Sequence, residues 1–165
     1  MDLIQILSQV QLLTPSPGAG FAGGMAVLLL VASGFASGSE IAFFSLTPED
    51  LNNLDDDSDE DCKIKKLRAN SELTLATILI TNNLVNVTII MLCNYFFSHT
   101  VSFGNAYWLE FICITVLLTF LLLLFGEIMP KVYSGQHALA FCRNSVNTIF
   151  FLSRVFRPLS NILIR

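Results

Sequence analysis

A glutamate at the end of the most apolar stretch of this sequence is the first residue that could do chemistry. Glu127 follows the run 107–125, which is interrupted only by Glu110 and two threonines. A carboxylate at the edge of hydrocarbon is typical of an ion or proton path. In the alternative, structural interpretation, Glu127 pairs with Lys131 four residues further along a helix. The sequence leaves both interpretations open.

Pro130 follows three residues after Glu127 and has no backbone N–H to donate. In a regular α-helix that N–H would reach the carbonyl four residues back, which belongs to Gly126. We therefore expect a free backbone oxygen beside the Glu127 carboxylate. In the alternative interpretation, Pro130 simply ends or kinks the helix.

A second set of polar residues lies in the first apolar stretch. Ser33 and Ser37 are four residues apart and Glu40 follows three later, so all three project from one face of a helix. Gly34 and Gly38 form a stripe of small residues beside them, which would let another helix approach closely. Glu40 is open to two interpretations, a ligand or a helix-end group that caps a neighbouring backbone.

The second apolar stretch contains three asparagines within five residues. Asn82 and Asn86 share a helix face, whereas Asn83 is rotated by about 100° from Asn82. Hydrogen bonding between helices could account for one buried asparagine. Three favour a functional site, because each unsatisfied amide in lipid is costly.

Together these faces offer six oxygen ligands: Ser33, Ser37, Asn82, Asn86, the Gly126 carbonyl and Glu127. Hard divalent cations select oxygen, and an octahedron of six oxygens suits Mg²⁺. These faces carry no His or Cys, which argues against zinc and copper. A single carboxylate only partly neutralises a divalent ion, which favours transient binding. Na⁺ remains an alternative ion for this site, either competing with Mg²⁺ or coupled to its transport.

The elements that must position these ligands are membrane helices. The chain of 165 residues is 53% hydrophobic and 13% charged, beyond the range of ordinary soluble domains. We predict an all-α membrane protein with three spans, near 20–46, 73–97 and 106–130. Residues 1–19 contain no Lys or Arg, so they lack the basic start that a cleavable signal peptide requires. We expect Leu3 to Leu13 to form a short apolar segment at the membrane interface.

The basic residues cluster after the first and third spans, and both the N-terminus and the loop 98–105 contain none. The positive-inside rule therefore places the N-terminus outside and the C-terminus in the cytoplasm. The acidic run from Asp55 to Asp61 is interpreted as a solvated, flexible loop, with attraction of cations as the alternative. Residues 136–165 begin with an amphipathic helix, about 137–155, expected along the inner membrane surface. The four cysteines lack a disulfide spacing.

Three segments, one per span, carry a resemblance to a known family: residues 33–42, 81–86 and 126–131. From about residue 21 to 165 the chain resembles the transmembrane (DUF21) domain of the CorC and cyclin M (CNNM) magnesium transport proteins. The resemblance implies a homodimer in the bacterial inner membrane, with short cytoplasmic helices between the first two spans and a juxtamembrane belt helix. It also implies Mg²⁺ efflux by alternating access, through the six ligands given above.

Members of that family typically continue into cytoplasmic CBS modules that bind ATP, and these are not in this sequence, which stops at Arg165 without a turn or cap. The acidic run and Tyr133 to Gly135 differ from the usual family pattern. Some bacterial relatives are linked to motility or secretion machinery. The alternative function is therefore a membrane anchor or assembly subunit without transport activity.

Two other classes of function are not expected. An enzyme would need a nucleophile with a base beside it, a histidine in a span or a phosphate-binding glycine loop, and the sequence offers none of these. Nucleic-acid binding would need a basic patch interleaved with aromatic residues, whereas the net charge is −4.

Overall fold

The computed structural model describes residues 11–102, 104, 107–158 and 162, and almost all of them are helical. In this described part, seven α-helices and one π-helical segment follow each other: α1 (Pro17–Ser45), α2 (Pro48–Asn52), α3 (Asp59–Ala69), α4 (Ser71–Ser98), α5 (Tyr107–Leu121), the π segment (Leu122–Ile128), α6 (Met129–Gln136) and α7 (Ala138–Val155). The expected all-α class is confirmed, with one short strand pair added to it.

Three helices are long and apolar enough to cross a membrane: α1 with 29 residues, α4 with 28, and the continuous helix Tyr107–Gln136 with 30. At about 1.5 Å per residue each exceeds the hydrocarbon thickness of about 30 Å. α1 begins at Pro17, where proline suits the first helical position, and the Ser16 side chain caps it by accepting from the Ala19 N–H. The third helix continues past Pro130 rather than ending there.

The strand pair joins the start of the chain to the loop between the second and third membrane helices. β1 (Gln11–Leu12) lies antiparallel to β2 (Val101–Ser102), and the Leu13 N–H donates to the Thr100 carbonyl at 2.8 Å. The N-terminal segment and this loop thus lie at the same end of the helix bundle. Residues 3–10 of the expected interfacial segment lie outside the described residues.

The hydrophobic core lies at the opposite end of the bundle, where α1 ends and α3 and α7 pack against it. Its buried members include Phe43, Ile64, Ile78, Val146 and Ile149. Along the membrane helices, by contrast, many large apolar side chains are exposed, as expected for surfaces that face lipid. The amphipathic helix expected over 137–155 forms as α7, and its apolar face completes this core.

The acidic run is not the wholly solvated loop that the sequence suggested, because part of it starts a helix and one carboxylate is buried. Ser58 caps α3, so Asp59 to Asp61 lie in the first turn, where negative charge complements the helix dipole. Asp61 is only 1% exposed and accepts two hydrogen bonds from Arg143 of α7, at 2.9 and 2.8 Å. This ion pair links the acidic segment to α7.

We expect Asp61→Asn to lower the free energy of unfolding by about 2 kcal/mol at pH 7, because a buried, two-point ion pair loses its charge. Hydrogen bonds from Arg143 hold the pKa of Asp61 below its usual value. The stabilisation that this ion pair provides is therefore present at neutral pH and is lost as the pH falls below about 4. Thermal unfolding of detergent-solubilised protein against pH measures this difference. Asp59→Asn is the control, since that exposed carboxylate pairs with Lys63 at the surface.

Candidate cation site

A cluster of oxygens lies between the first two membrane helices, with Ser33 at its centre. The Ser33 Oγ is 3.0 Å from Asn82 Oδ1 and 2.6 Å from Asn86 Oδ1. Ser33 is fully buried, Asn82 is 9% exposed and Asn86 is half-buried. A hydroxyl has one proton and can donate to one of these amide oxygens at a time. With both amide oxygens toward Ser33, the second contact needs either a cation or an amide turned to present its NH₂.

Ser37 lies one turn further along the same face of α1, and its hydroxyl is unsatisfied. It is fully buried, and its Oγ has no hydrogen-bond partner among the described residues. Leaving a buried hydroxyl unsatisfied costs about 1–3 kcal/mol. A bound ion would remove that cost, which makes Ser37 a second, independent indication of a ligand at this face.

The third membrane helix reaches this cluster because glycines allow close approach on both sides. A Cβ on Gly126 would lie 3.2 Å from the Ser33 Oγ. A Cβ on Gly34 would lie 2.9 Å from Pro130 Cγ and 3.1 Å from the Phe125 carbonyl oxygen. Of the two small residues that the sequence predicted as a packing stripe on α1, Gly34 receives the helix that carries Glu127, and Gly38 receives Phe141 of α7.

The backbone around Pro130 corrects the expected helical register. The Met129 N–H donates to the Leu124 carbonyl, five residues back, because residues 122–128 form a π-helix. Continuing that register by one residue sets Pro130, which has no N–H, opposite the Phe125 carbonyl. In that register the Phe125 carbonyl faces the missing donor. The Gly126 carbonyl stays a predicted ligand, and Gly126 itself lies against Ser33.

The ion pair between Glu127 and Lys131, the alternative interpretation of Glu127, is not formed. Lys131 instead contacts Glu40 on α1, with 3.2 Å between Nζ and Oε2. Glu40 is therefore an ion-pair partner rather than a backbone cap. Within the described part of the chain, the half-buried Glu127 carboxylate has no ion-pair partner.

The structure brings together three of the six predicted ligands, Ser33, Asn82 and Asn86, and packs the backbone of Gly126 against Ser33. The other two predicted ligands lie next to these residues along the chain. Ser37 and Glu127 lie on the same helices without a hydrogen bond to those four. Asn83 is turned away, as its position on the helix predicted: it is exposed, and its side chain donates to the Leu79 carbonyl at 3.0 Å.

The chemistry available at this site is that of neutral oxygens and one carboxylate. Across the described residues, no group of three or more His, Cys, Asp or Glu could hold a metal ion. Such a site cannot bind by charge alone, so affinity for a small hard cation would come from several oxygens arranged around it. The Phe125 carbonyl is a further oxygen near α1 that sequence reasoning missed.

Comparison with known proteins gives two kinds of match. A family model described as the cyclin M transmembrane N-terminal domain matches residues 24–165. The chain is 33% identical over 140 residues to the metal transporter cnnm-4 of Caenorhabditis elegans, covering 81% of this chain and 29% of that protein. It is also 33% identical over 134 residues to a UPF0053 protein of Haemophilus influenzae, covering 81% and 31%. The chain thus spans less than a third of the length of either relative.

Proposed function

Because the chain belongs to the cyclin M family of transmembrane domains, we propose that it transports Mg²⁺ across the membrane through the oxygen cluster around Ser33. The observation that carries this proposal is the buried Ser37 hydroxyl, which lacks a partner in the described chain, next to a cluster of polar side chains. In that cluster the Ser33 hydroxyl contacts the side-chain amides of both Asn82 and Asn86. One relative is named a metal transporter.

The choice of Mg²⁺ rests on the ligand set. Serine, asparagine, carbonyl and carboxylate oxygens suit a hard cation, and six of them could replace the water shell that Mg²⁺ gives up reluctantly. The single carboxylate, Glu127, leaves one positive charge uncompensated, which favours release as well as binding. Na⁺, with one charge, is proposed as the coupled or competing ion.

The π segment offers a way for the site to open. π-helical turns are rare and often occur at functional sites. Converting one such turn to α-helix would rotate the residues before it by about 100° relative to those after it. In the proposed cycle of alternating access, this change would turn Glu127 and the neighbouring carbonyls toward or away from α1.

The proposed direction is efflux, in a homodimer within the bacterial inner membrane. The N-terminus would lie outside and the C-terminus, where the basic residues cluster, in the cytoplasm. Regulation by ATP-binding CBS modules would belong to a longer protein of which this domain is one part, in keeping with relatives more than three times as long as the matched region.

A second candidate function is that of a membrane anchor or assembly subunit, and the same hydrogen bonds favour it. Ser33 joins α1 to α4, which could be the whole purpose of the cluster. In that case one asparagine would turn its amide NH₂ toward Ser33, supplying the second proton without any ion. The two functions therefore differ in whether ion binding and ion flux depend on these residues.

Reconstitution into liposomes separates the two functions. With Mg²⁺ inside and a fluorescent Mg²⁺ indicator outside, the wild type should release Mg²⁺ and Asn86→Ala should not. Asn83→Ala is the matched control, because Asn83 lies on the same helix but bonds to its own backbone. Release as fast from Asn86→Ala as from wild type would refute the site, and absence of release from wild type would favour the anchor.

A further inference from the structure

A basic cavity lies away from the candidate cation site, at the end of the bundle where the hydrophobic core is. Its volume is about 270 Å³, and it is formed where α3 ends, α4 begins and α7 ends. Three cationic side chains line it, those of Lys66, Arg154 and Arg157. No acidic side chain is among its lining residues.

These three cations have no acidic partner, unlike three other basic residues nearby. Lys63, Lys65 and Arg143 each form an ion pair with an aspartate of the acidic run. Within the described residues, no such pair involves Lys66, Arg154 or Arg157. Even though the aspartates are close in sequence, they leave this cavity with a net positive charge.

The start of α4 also faces the cavity, although its first turn carries one acidic residue, Glu72, outside the lining. Asn70 and Thr74 line the cavity, and Asn70 is the residue that precedes the first turn of this 28-residue helix. No side chain caps the backbone N–H groups of that turn. Uncapped N–H groups and the helix dipole attract anions, phosphate above all.

Apart from Ser153, the remaining walls of the cavity are apolar, which favours an anion that carries an apolar part. Leu67, Leu73 and Phe150 line it beside the charges. Phe151 and Val155 are exposed on the same stretch of α7. The cavity also lies at the start of a helix long enough to cross the membrane, and the end of such a helix would lie near the lipid headgroups. A ligand with a phosphate and an acyl chain matches both kinds of wall.

We propose that this cavity binds the phosphate headgroup of an anionic phospholipid. Lys66, Arg154 and Arg157 would contact the phosphate oxygens, and the N-terminus of α4 would face the same group. The lipid would hold α3, α4 and α7 together at the membrane surface. Basic pockets at this depth are typical sites for anionic lipids. The inference does not depend on whether the protein transports Mg²⁺.

Binding to phosphatidylglycerol in detergent-solubilised protein, followed by native mass spectrometry, tests this proposal. We expect wild type to retain phosphatidylglycerol in preference to phosphatidylcholine, and the double variant Arg154→Gln, Arg157→Gln to lose at least about tenfold in affinity, since each basic residue near the surface contributes about a fivefold gain. The control is Lys63→Gln, Lys65→Gln, which removes the same charge from residues that are already ion-paired.

Several results would overturn the proposal. Equal losses in the two double variants would mean general charge attraction rather than a site. Absence of preference for phosphatidylglycerol over phosphatidylcholine would exclude an anionic headgroup. In a second arm, inorganic phosphate is added, and displacement of the lipid at millimolar concentration would make the ligand a soluble anion instead. A circular-dichroism melting curve for each variant shows whether the protein is folded when it is measured.

Discussion

Glu127→Gln is expected to reduce Mg²⁺ release from liposomes by about a hundredfold or more. The substitution keeps the size of the side chain and removes its charge, which is the only carboxylate charge in the proposed site. Loss of a residue that merely supports a metal ligand costs about 10–100-fold, so loss of the charged ligand itself should cost at least as much. Initial rates of Mg²⁺ release at several Mg²⁺ concentrations measure the effect.

The matched control is Glu110→Gln in the same membrane helix. Glu110 lines a different cavity, with Asn94, Ser98 and Tyr107, near the loop between the second and third membrane helices. Its substitution should leave the rate within about twofold of wild type. Equal rates for wild type and Glu127→Gln would show that the carboxylate is not a ligand. Unchanged melting temperatures for both variants would show that any loss is one of function.

Gly34→Ala is expected to have the second largest effect, because it pushes the third membrane helix away from α1. The added Cβ would lie 2.9 Å from Pro130 Cγ and 3.1 Å from the Phe125 carbonyl oxygen, and neither is the end of a flexible side chain. Overpacking of this kind typically costs about 1–3 kcal/mol. Separation of the helices should also move Gly126 and Glu127 from the cluster, so Mg²⁺ release should fall along with the melting temperature.

Gly24→Ala is the control for helix propensity. Nothing lies within 4 Å of a Cβ at Gly24, in the same helix. Both substitutions replace glycine by a better helix former, so a difference between them isolates the steric effect. If Gly34→Ala melts and transports like Gly24→Ala, the close approach of the two helices is unnecessary.

The ligand faces could be predicted because helical periodicity is a local property. Four-residue spacing placed Asn82 and Asn86 together and Asn83 elsewhere, and the structure confirms it: both Asn82 and Asn86 contact Ser33, and Asn83 bonds to its own helix. The three membrane helices were likewise readable from continuous apolar runs of sufficient length.

The register around Pro130 could not be predicted, because periodicity assumes a regular α-helix. Proline indicates that one hydrogen bond is missing, yet both an α-helix with a gap and a π-helix satisfy that constraint. The choice depends on how the third helix packs against Gly34, which is a contact between distant residues. The Phe125 carbonyl was missed for this reason.

The partners of the charged residues could not be predicted either, because these ion pairs join residues that are distant in the sequence. Local spacing suggested a Glu127–Lys131 pair, but Lys131 contacts Glu40, ninety-one positions earlier in the sequence. Asp61 looked like one more solvated acid of its run, and Arg143 of α7 buries it. A single sequence carries no signal for such pairs, whose energies depend on burial.

Density for an ion at the site tests the central claim most directly. Manganese, which prefers the same oxygen ligands as Mg²⁺, can be located by its anomalous scattering in crystals of the protein. We expect one peak within about 2.0–2.3 Å of oxygens from Ser37, Asn86 and Glu127, and its disappearance in crystals of Glu127→Gln. A map without a peak at saturating manganese would contradict the proposed site.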